Sequence, residues 1–455
     1  MNLKESSVKI ETKSAPRGKR ASSVSARDIV AQAFAGGVSL LEATVACHNT
    51  GLNVTECAPQ LYKQSPVKPP ADELATVLAA VWWGAIFADR PSLGSALRAC
   101  GAFTEAQIAA ASAAAMAQYH DVFVRKSLDD TGAIPYTSSG TAAITHSPDI
   151  ILAGTTQTHD PAEAYGEAHY GEDLNFDHLT PNELNFIYVR AKNLFPAAEP
   201  PDTTSSAPQL MAYATLGTIA AHDSKNWQPL TALNGAASVT VSGAQGAVLV
   251  GTVPFQFRPA PQQGTAHYCL IGRVVTNFNP NPLPDTSTIA GNLDWVRNHP
   301  GYCWRNVAVS PMAALAEGVT ASIHYRNADP EPRQFALVVD ALNAPGMRIA
   351  VTAAGSDLRL DETTIAADRQ QVSTFVTLPG SFDGMLDVRM HSTPDFEAAG
   401  DPNVELRYYA LLTEDHPGFR HTQEFAHAGI HQQDPSLPPG ARPAFLGNYL
   451  FRFAR

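Results

Sequence analysis

The feature that most constrains what this chain can fold into is a change of pattern near Thr131-Gly132. From Ala26 to about Asp130 alanine is dense, and apolar residues recur at three- and four-residue spacing. One stretch runs Ile29, Ala33, Phe34, then Leu40, Leu41, Val45. A second runs Leu74, Val77, Leu78, Val81, Ile86, and a third Ile108, Ala111, Ala115, Tyr119, Val122. That spacing gathers apolar side chains on one face of a helix. Beyond Gly132, Pro and Gly punctuate short runs rich in β-branched and aromatic residues, the pattern of antiparallel strands without long helices between them. The expected fold class is multi-domain α plus all-β, a helical domain followed by two antiparallel β-sandwiches.

A length of 455 residues suits about three domains. The expected boundaries are a basic tail at 1–25, a helical domain at 26–132, a first sandwich at 133–312 and a second at 313–455. The helical part carries a weak repeat. Ala43-x-x-x-Cys47 is followed by Gly51 and Thr55-Glu56, and Ala96-x-x-x-Cys100 by Gly101 and Thr104-Glu105. Each copy reads as a helix stopping near a glycine and a second starting at a Thr cap, with four to six helices in all. Strands are expected at Asn185–Arg190, Met211–Ile219, Ser238–Ser242, Ala247–Phe257, Tyr268–Thr276 and Trp304–Val309. A second series is Val319–Arg326, Phe335–Asp340, Met347–Ala353, Val372–Leu378, Met385–His391, Val404–Leu412 and Asn448–Phe453. In the strand at Val404, Val404, Leu406 and Tyr408 share one face, with Glu405 and Arg407 on the other.

Composition removes several classes of function. With 44% hydrophobic and 16% charged residues, the chain is not disordered as a whole. The apolar runs at Leu74–Ala88 and Ala109–Ala117 are shorter than the ~18–20 residues of a membrane span. A net charge of −12 does not suit a phosphate-binding surface, and Glu105–Gln118 offers no Lys or Arg to a DNA groove, so no nucleic-acid partner is expected. The first 25 residues differ, carrying Lys4, Lys9, Lys13, Arg17, Lys19 and Arg20 against Glu5 and Glu11. They read as a solvated lead-in or as a docking segment. No apolar signal-peptide core is present at the N-terminus, so cytoplasmic synthesis is expected, with any exit by a non-classical route. Cys47, Cys57, Cys100, Cys269 and Cys303 are few and odd in number, which fits a reduced chain.

Phosphate-loop, dinucleotide, nucleophile-elbow and HExxH patterns are missing from the sequence. Two constellations remain. Asp173-x-Asn175-x-Asp177 sets oxygen ligands at alternate positions, the hard donors that suit Ca²⁺, with Asp160, Glu163, Glu167 and Glu172 able to join only if the loop folds back. The other reading is a solvated surface loop. His427-x-x-x-His431 would place two imidazoles on one face of a helix, with His421 approaching from the preceding turn, a plausible Zn²⁺ arrangement. Gly429 between them, and Pro435, Pro438 and Pro439 after them, favour a polar loop instead. The expectation is no resident cofactor, with Ca²⁺ or Zn²⁺ as the ions these residues would take.

Ser147-Pro148-Asp149-Ile150, Asn185-Phe186-Ile187-Tyr188-Val189-Arg190 with Asn193, Trp227-x-Pro229, His267-Tyr268-Cys269-Leu270 and Trp304-Arg305-Asn306-Val307 follow one another in a telling order. Together they resemble a bacterial β-sandwich module of the immunoglobulin-like, CARDB-like kind. Val319–Asn327 and Phe335–Asp340 resemble the start of its companion, so the resemblance covers about 146–455. It departs from true immunoglobulin domains, having His267 where a corner tyrosine would sit and Cys303 too soon after Cys269 for an inter-sheet partner. The resemblance implies a structural, adhesive or assembly component without catalysis. Such a chain would bind a protein or cell-surface ligand, or copies of itself, through loops such as Asn277–Asn292 and Thr413–Arg442, and dock through its helical part. The alternative is an exported effector or toxin, a metal-dependent hydrolase using the C-terminal histidines.

Overall fold

A computed structural model describes residues 25–136, 146–174, 179–180, 183–196, 208–215, 228–241, 243–258, 267–281, 288–311, 314–394, 396, 400, 402–430 and 437–454. The tail at 1–24, Trp227, Asn175, Asp177 and His431 lie outside the described residues.

The N-terminal part is helical: α1 (Ala26–Ala35), α2 (Leu40–Asn49), α3 (Val54–Gln64), α4 (Ala71–Val81), α5 (Trp83–Ala88), α6 (Pro91–Ala99) and α7 (Glu105–Met116). Seven helices exceed the expected four to six, because the Leu74–Ile86 stripe breaks at Trp82 and Pro91 opens a further helix. The Trp82 indole donates to the Leu52 carbonyl at 3.2 Å, tying that break to the α2–α3 turn. Gly51 and Gly101 both adopt positive φ, as the repeat requires. The first copy's cap is a correction: Asn53, not Thr55, caps α3 in a capping box with Glu56, while Thr104 caps α7 with Gln107. Leu61, Leu74, Leu78, Ile86, Leu93, Leu97 and Ile108 fill the core between these helices.

The rest of the chain is built mainly of strands. The first are β1 (Val122–Phe123), β2 (Ile150–Leu152), then a short helix α8 (Pro161–Tyr165), and β3 (Asn185–Asn193). They are followed by β4 (Pro208–Thr215), β5 (Gln228–Pro229), β6 (Thr231–Ala232), β7 (Val239–Thr240), β8 (Val248–Val250), β9 (Phe255–Phe257) and β10 (His267–Val274). Helix α9 (Ile289–Asn298), β11 (Tyr302–Pro311), α10 (Ala314–Glu317), β12 (Val319–Arg326), β13 (Arg333–Leu342) and β14 (Met347–Ala353) come next. The chain continues through β15 (Arg359–Thr364), β16 (Arg369–Leu378), β17 (Asp383–Ser392), β18 (Asn403–Leu412) and β19 (Arg442–Ala454). Part of the expected Asn277–Asn292 loop is thus the start of α9, capped by Thr288.

Among the described residues nine strands form one long sheet in the order β16-β13-β18-β19-β11-β10-β4-β5, with β7 beside β4. Its pairings are antiparallel except β11 with β19, which run parallel from Val309↔Arg452 to Pro311↔Ala454. A four-stranded sheet, β12-β17-β14-β15, packs on it over Ile323, Phe335, Leu337, Val351, Val388, Leu406, Tyr408 and Phe451. A six-stranded sheet is gathered around β3, which pairs with β1 and β2 along one edge and with β8 and β9 along the other. Its Ile150, Ile187, Val189, Leu249 and Phe255 pack with Leu270, Val274 and Cys303 of β10 and β11. Trp304 points to the opposite face from Cys303 and stacks on Trp295 of α9 at 6.3 Å, and Ile289 and Leu293 of α9 belong to the other core. The two smaller sheets therefore cover opposite faces of the long one.

The helical layer meets the sheets through a buried polar joint. The Asp121 carboxylate accepts the Val122 amide at 2.7 Å and the Thr276 hydroxyl. Asn279 donates to the Tyr119 hydroxyl at 2.7 Å, and the Tyr302 hydroxyl donates to the Asn281 carbonyl at 2.6 Å. All six of these side chains are buried. Among the described residues no helix is long and apolar enough to cross a membrane.

Candidate recognition surface

Two long connections are fixed to the sheets by groups that sequence reading did not assemble. The first runs from Ala153 to Asp173, between β2 and β3. Beneath it Arg125, Asp149 and Arg190 are almost wholly buried, Asp149 and Arg190 at 0% exposure. Asp149 accepts Arg125 Nη2 at 2.6 Å, Arg190 Nε at 2.9 Å and the Arg125 amide at 2.7 Å. With one anion for two cations, the remaining guanidinium protons go to main-chain carbonyls of the connection. Arg190 donates to Tyr165 at 3.2 Å, His169 at 2.8 Å and Glu172 at 3.0 Å, and to Pro148 at 3.0 Å. Arg125 donates to the Tyr170 carbonyl at 2.7 Å, and its guanidinium lies 3.5 Å from the Tyr170 ring centroid. Removing one partner of such a buried pair costs about 3–5 kcal/mol, because the other charge is stranded.

That arrangement decides what the acidic residues of this connection do. Asp173 accepts Arg305 Nη1 at 3.2 Å, and the buried Arg305 also donates to the Ser147 carbonyl at 2.8 Å. Burial lowers the Arg305 pKa, and the Asp173 charge works against that shift. Asp160 caps α8 by accepting the Glu163 amide at 3.0 Å, Glu167 accepts the Val248 amide at 3.2 Å, and Glu172 lies 3.2 Å from the His169 ring. Gly166 closes α8 so tightly that a Cβ there would stand 2.2 Å from the Ala162 carbonyl oxygen. The four outer acids Asp160, Glu163, Glu167 and Glu172 are exposed.

In the second connection, between β18 and β19, the described residues 413–430 and 437–441 fold back over the outer face of the long sheet. Phe425, Ala428, Ile430, Leu437 and Ala441 pack there on Ala336, Val338, Tyr409, Leu411 and Phe445. Next to this apolar contact, Arg407 bridges Glu405 at 2.8 Å and Asp340 at 2.7 Å, Arg369 and Gln371 each reach Asp340 at 2.9 Å, and Asn448 donates to Glu405. Burial alone would raise the Asp340 carboxyl, but these hydrogen bonds and the Arg407 charge outweigh it and hold it below the usual range.

The histidines of this connection do separate jobs. His416 Nδ1 accepts the Gly418 amide at 3.0 Å, which leaves Nε2 to donate to Asp329 at 2.9 Å. His421 is buried and accepts Arg420 Nε at 3.1 Å, while Arg420 Nη2 reaches Asp294 of α9 at 2.8 Å. His427 is exposed at the end of a single turn from Glu424, which Gly429 terminates at φ +74°. His421 and His427 thus occupy different environments. Among the described residues no three His, Cys, Asp or Glu side chains are grouped to hold a metal ion. Asn175, Asp177 and His431 lie outside those residues.

One signal in the sequence pointed to the first cluster: Arg190 is a charge in the apolar strand run Phe186–Ala191, which burial tolerates only with partners. Its partner Asp149, like the Asp340 that Arg407 takes besides its neighbour Glu405, comes from a distant part of the chain. Cys303 is a free buried thiol, pushed up to about 12 chiefly by burial. The strand register sets Cys303 opposite Gly272 and Cys269 opposite Asn306.

No family model matches the chain, and no curated protein matches it. Among solved structures, the CupB6 tip adhesin from Pseudomonas aeruginosa is 8% identical over 61% of this chain and 92% of that one, with a TM-score of 0.16. The collagen adhesin CNA from S. aureus is 9% identical over 61% of this chain and 92% of that one, with a TM-score of 0.16. The secreted serine protease VesC from Vibrio cholerae is 8% identical over 50% of this chain and 47% of that one, again at 0.16. Superpositions of that quality carry no argument about this chain.

Proposed function

We propose that this chain is a non-catalytic structural or adhesive component. In this reading its sandwiches are tandem immunoglobulin-like modules of the CARDB-like kind, its loops bind a protein or cell-surface partner, and its helical layer docks to a neighbour. The observation that carries the reading is the fixing of the two long connections. Buried Arg190 and Arg125 hold four carbonyls of the 153–173 connection, and an apolar seam holds the 413–441 connection to the sheet. Ordering a loop before it meets its partner removes the entropic cost of ordering it at binding. Buried charged side chains whose hydrogen bonds go to main chain and neighbouring side chains favour rigid display over chemistry at those groups.

The test is saturable binding of fluorescently labelled protein to intact bacterial and animal cells, and to immobilised collagen, fibrinogen and laminin. Glu163→Arg with Glu172→Arg changes the exposed side of the first connection, and Glu424→Arg with Ala426→Arg that of the second. Saturable binding that falls at least tenfold in one double variant with an unchanged melting temperature is the expected result. An absence of saturable binding, or binding indifferent to both variants, overturns the reading.

A further inference from the structure

His421 ends the single turn Phe419–His421 of the second connection, its side chain at 4% exposure, whereas that of its neighbour Arg420 is at 67%. Arg420 Nε donates to His421 Nε2 at 3.1 Å, and Arg420 Nη2 donates to Asp294 Oδ1 of α9 at 2.8 Å. His421 Nε2 itself stands 3.7 Å from that same oxygen. We infer that Asp294, His421 and Arg420 form a two-state acid switch, in which protonating His421 passes Asp294 from Arg420 to His421 and turns the guanidinium out into solvent.

The starting state is fixed by what each group can do. A guanidinium only donates, so His421 Nε2 offers its lone pair and the ring proton sits on Nδ1. A second proton, taken from solvent, binds Nε2, ends the bond from Arg420 and sets two cations side by side. His421 is enclosed and Arg420 is not, so Arg420 gives way. A shift of under about 1 Å then brings Nε2 within hydrogen-bond distance of Asp294. Asp294 is an anion in both states: the His421 contact, then Arg420 and Asn298, hold its carboxyl down at about 2 against its burial.

The other charged groups around the turn have partners of their own. His416 accepts the Gly418 amide and donates to Asp329, which Arg333 meets at 2.7 Å, and Asp415 accepts the Thr413 hydroxyl. On the β19 side Arg442 pairs with Glu424 at 3.1 Å, its guanidinium 5.9 Å from the Phe419 ring. Beyond the end of α9, burial holds His299 down to about 4, so it stays neutral while imidazoles in general take up protons. Acid thus unlatches the second connection from α9 and adds an unpaired cation to its surface. That this regulates binding rests on the recognition role proposed above, whereas the switch itself is read without a partner.

The experiment labels histidine and arginine of the full chain with nitrogen-15 and follows them by NMR from pH 8 to pH 5. His421→Gln and Arg420→Lys assign the signals. At pH 8 His421 should show the Nδ1–H tautomer. As Nε2 gains its proton, the Arg420 Nε–H signal should move to the position of free arginine on the same titration curve. In His421→Gln, whose amide oxygen accepts from Arg420 but takes no proton in this range, the Arg420 signal should stay in place. Should that variant not fold, Asp294→Asn removes the receiving anion and should move the His421 transition to lower pH. A proton on Nε2 at pH 8, no second proton by pH 5, an Arg420 signal indifferent to His421, or the same movement in His421→Gln overturns the inference. Saturable cell binding should change about threefold between the two pH values in the wild-type chain and not in His421→Gln. No binding at either pH fails the recognition reading and leaves the switch to be decided by the NMR titration.

Discussion

Asp121 is a carboxylate held at zero exposure by two neutral donors, and burial pushes it up to about 7. An acid whose affinity for its proton rises on folding favours the native state at low pH. Its contribution declines as pH climbs from the ordinary carboxylate value near 4 to about 7, and is fully lost above that. Asp121→Asn keeps an acceptor for the Val122 amide and removes the ionisation. It should stabilise the protein by about 2–4 kcal/mol at pH 8, and the difference should shrink toward zero below pH 4. Urea midpoints across that range provide the check, and a difference independent of pH would contradict the assignment. Asp340 runs with the opposite sign. Its depressed carboxyl lends stability that is present at neutral pH and lost as pH falls, so the joint and the long sheet respond to acid in opposite directions.

At the level of elements, the pairing of β10 with β11 depends on a missing side chain. A Cβ on Gly272 would lie 2.8 Å from Cys303 Sγ and 3.5 Å from Ile150 Cγ1, where the six-stranded sheet packs on the long one. Gly272→Ala should therefore cost roughly 1–3 kcal/mol by overpacking. Cys303→Ala frees the needed space, so the double variant should be less destabilised than the sum of the singles by about 1 kcal/mol in denaturant titrations. Exact additivity would place the strain elsewhere. Elements whose cause is local were readable from sequence: β12 and β14 fall at the residues expected for them, and Thr104 caps α7. Strand β15, Arg-Leu-Asp-Glu-Thr-Thr, was missed because it carries almost no apolar alternation and is a strand only by pairing with β14 across a register shift. Glu405 and Arg407 were placed on the right face of β18, but not under a covering connection that begins at Thr413. The recognition surface was least legible. Asp173 reads as a cation ligand beside Asn175, and only the return of β11 brings Arg305 to it.

For the molecule as a whole, the decisive strand is β19. It pairs with β18 from Asn403↔Arg452 to Leu412↔Arg442 and, at its far end, runs parallel to β11. It therefore joins the half of the long sheet covered by four strands to the half covered by six. Strand β18 shows what that position demands: every residue from Val404 to Leu412 is buried, with Leu406 and Tyr408 in one core and Tyr409 and Leu411 in another. A strand covered on both faces cannot leave its backbone groups unpaired without the cost of burying them. Replacing residues 449–454 by a Gly/Ser segment should then expose amides in two places far apart in sequence, 403–406 of β18 and 309–311 of β11. Hydrogen exchange there should accelerate at least tenfold, while α3 and α4, whose core contains no β19 residue, keep their protection. Loss of protection in β18 alone would mean that the six-stranded half holds β11 unaided. Loss in both would make the parallel rungs at Val309–Pro311 the coupling through which either half senses a load or a partner on the other.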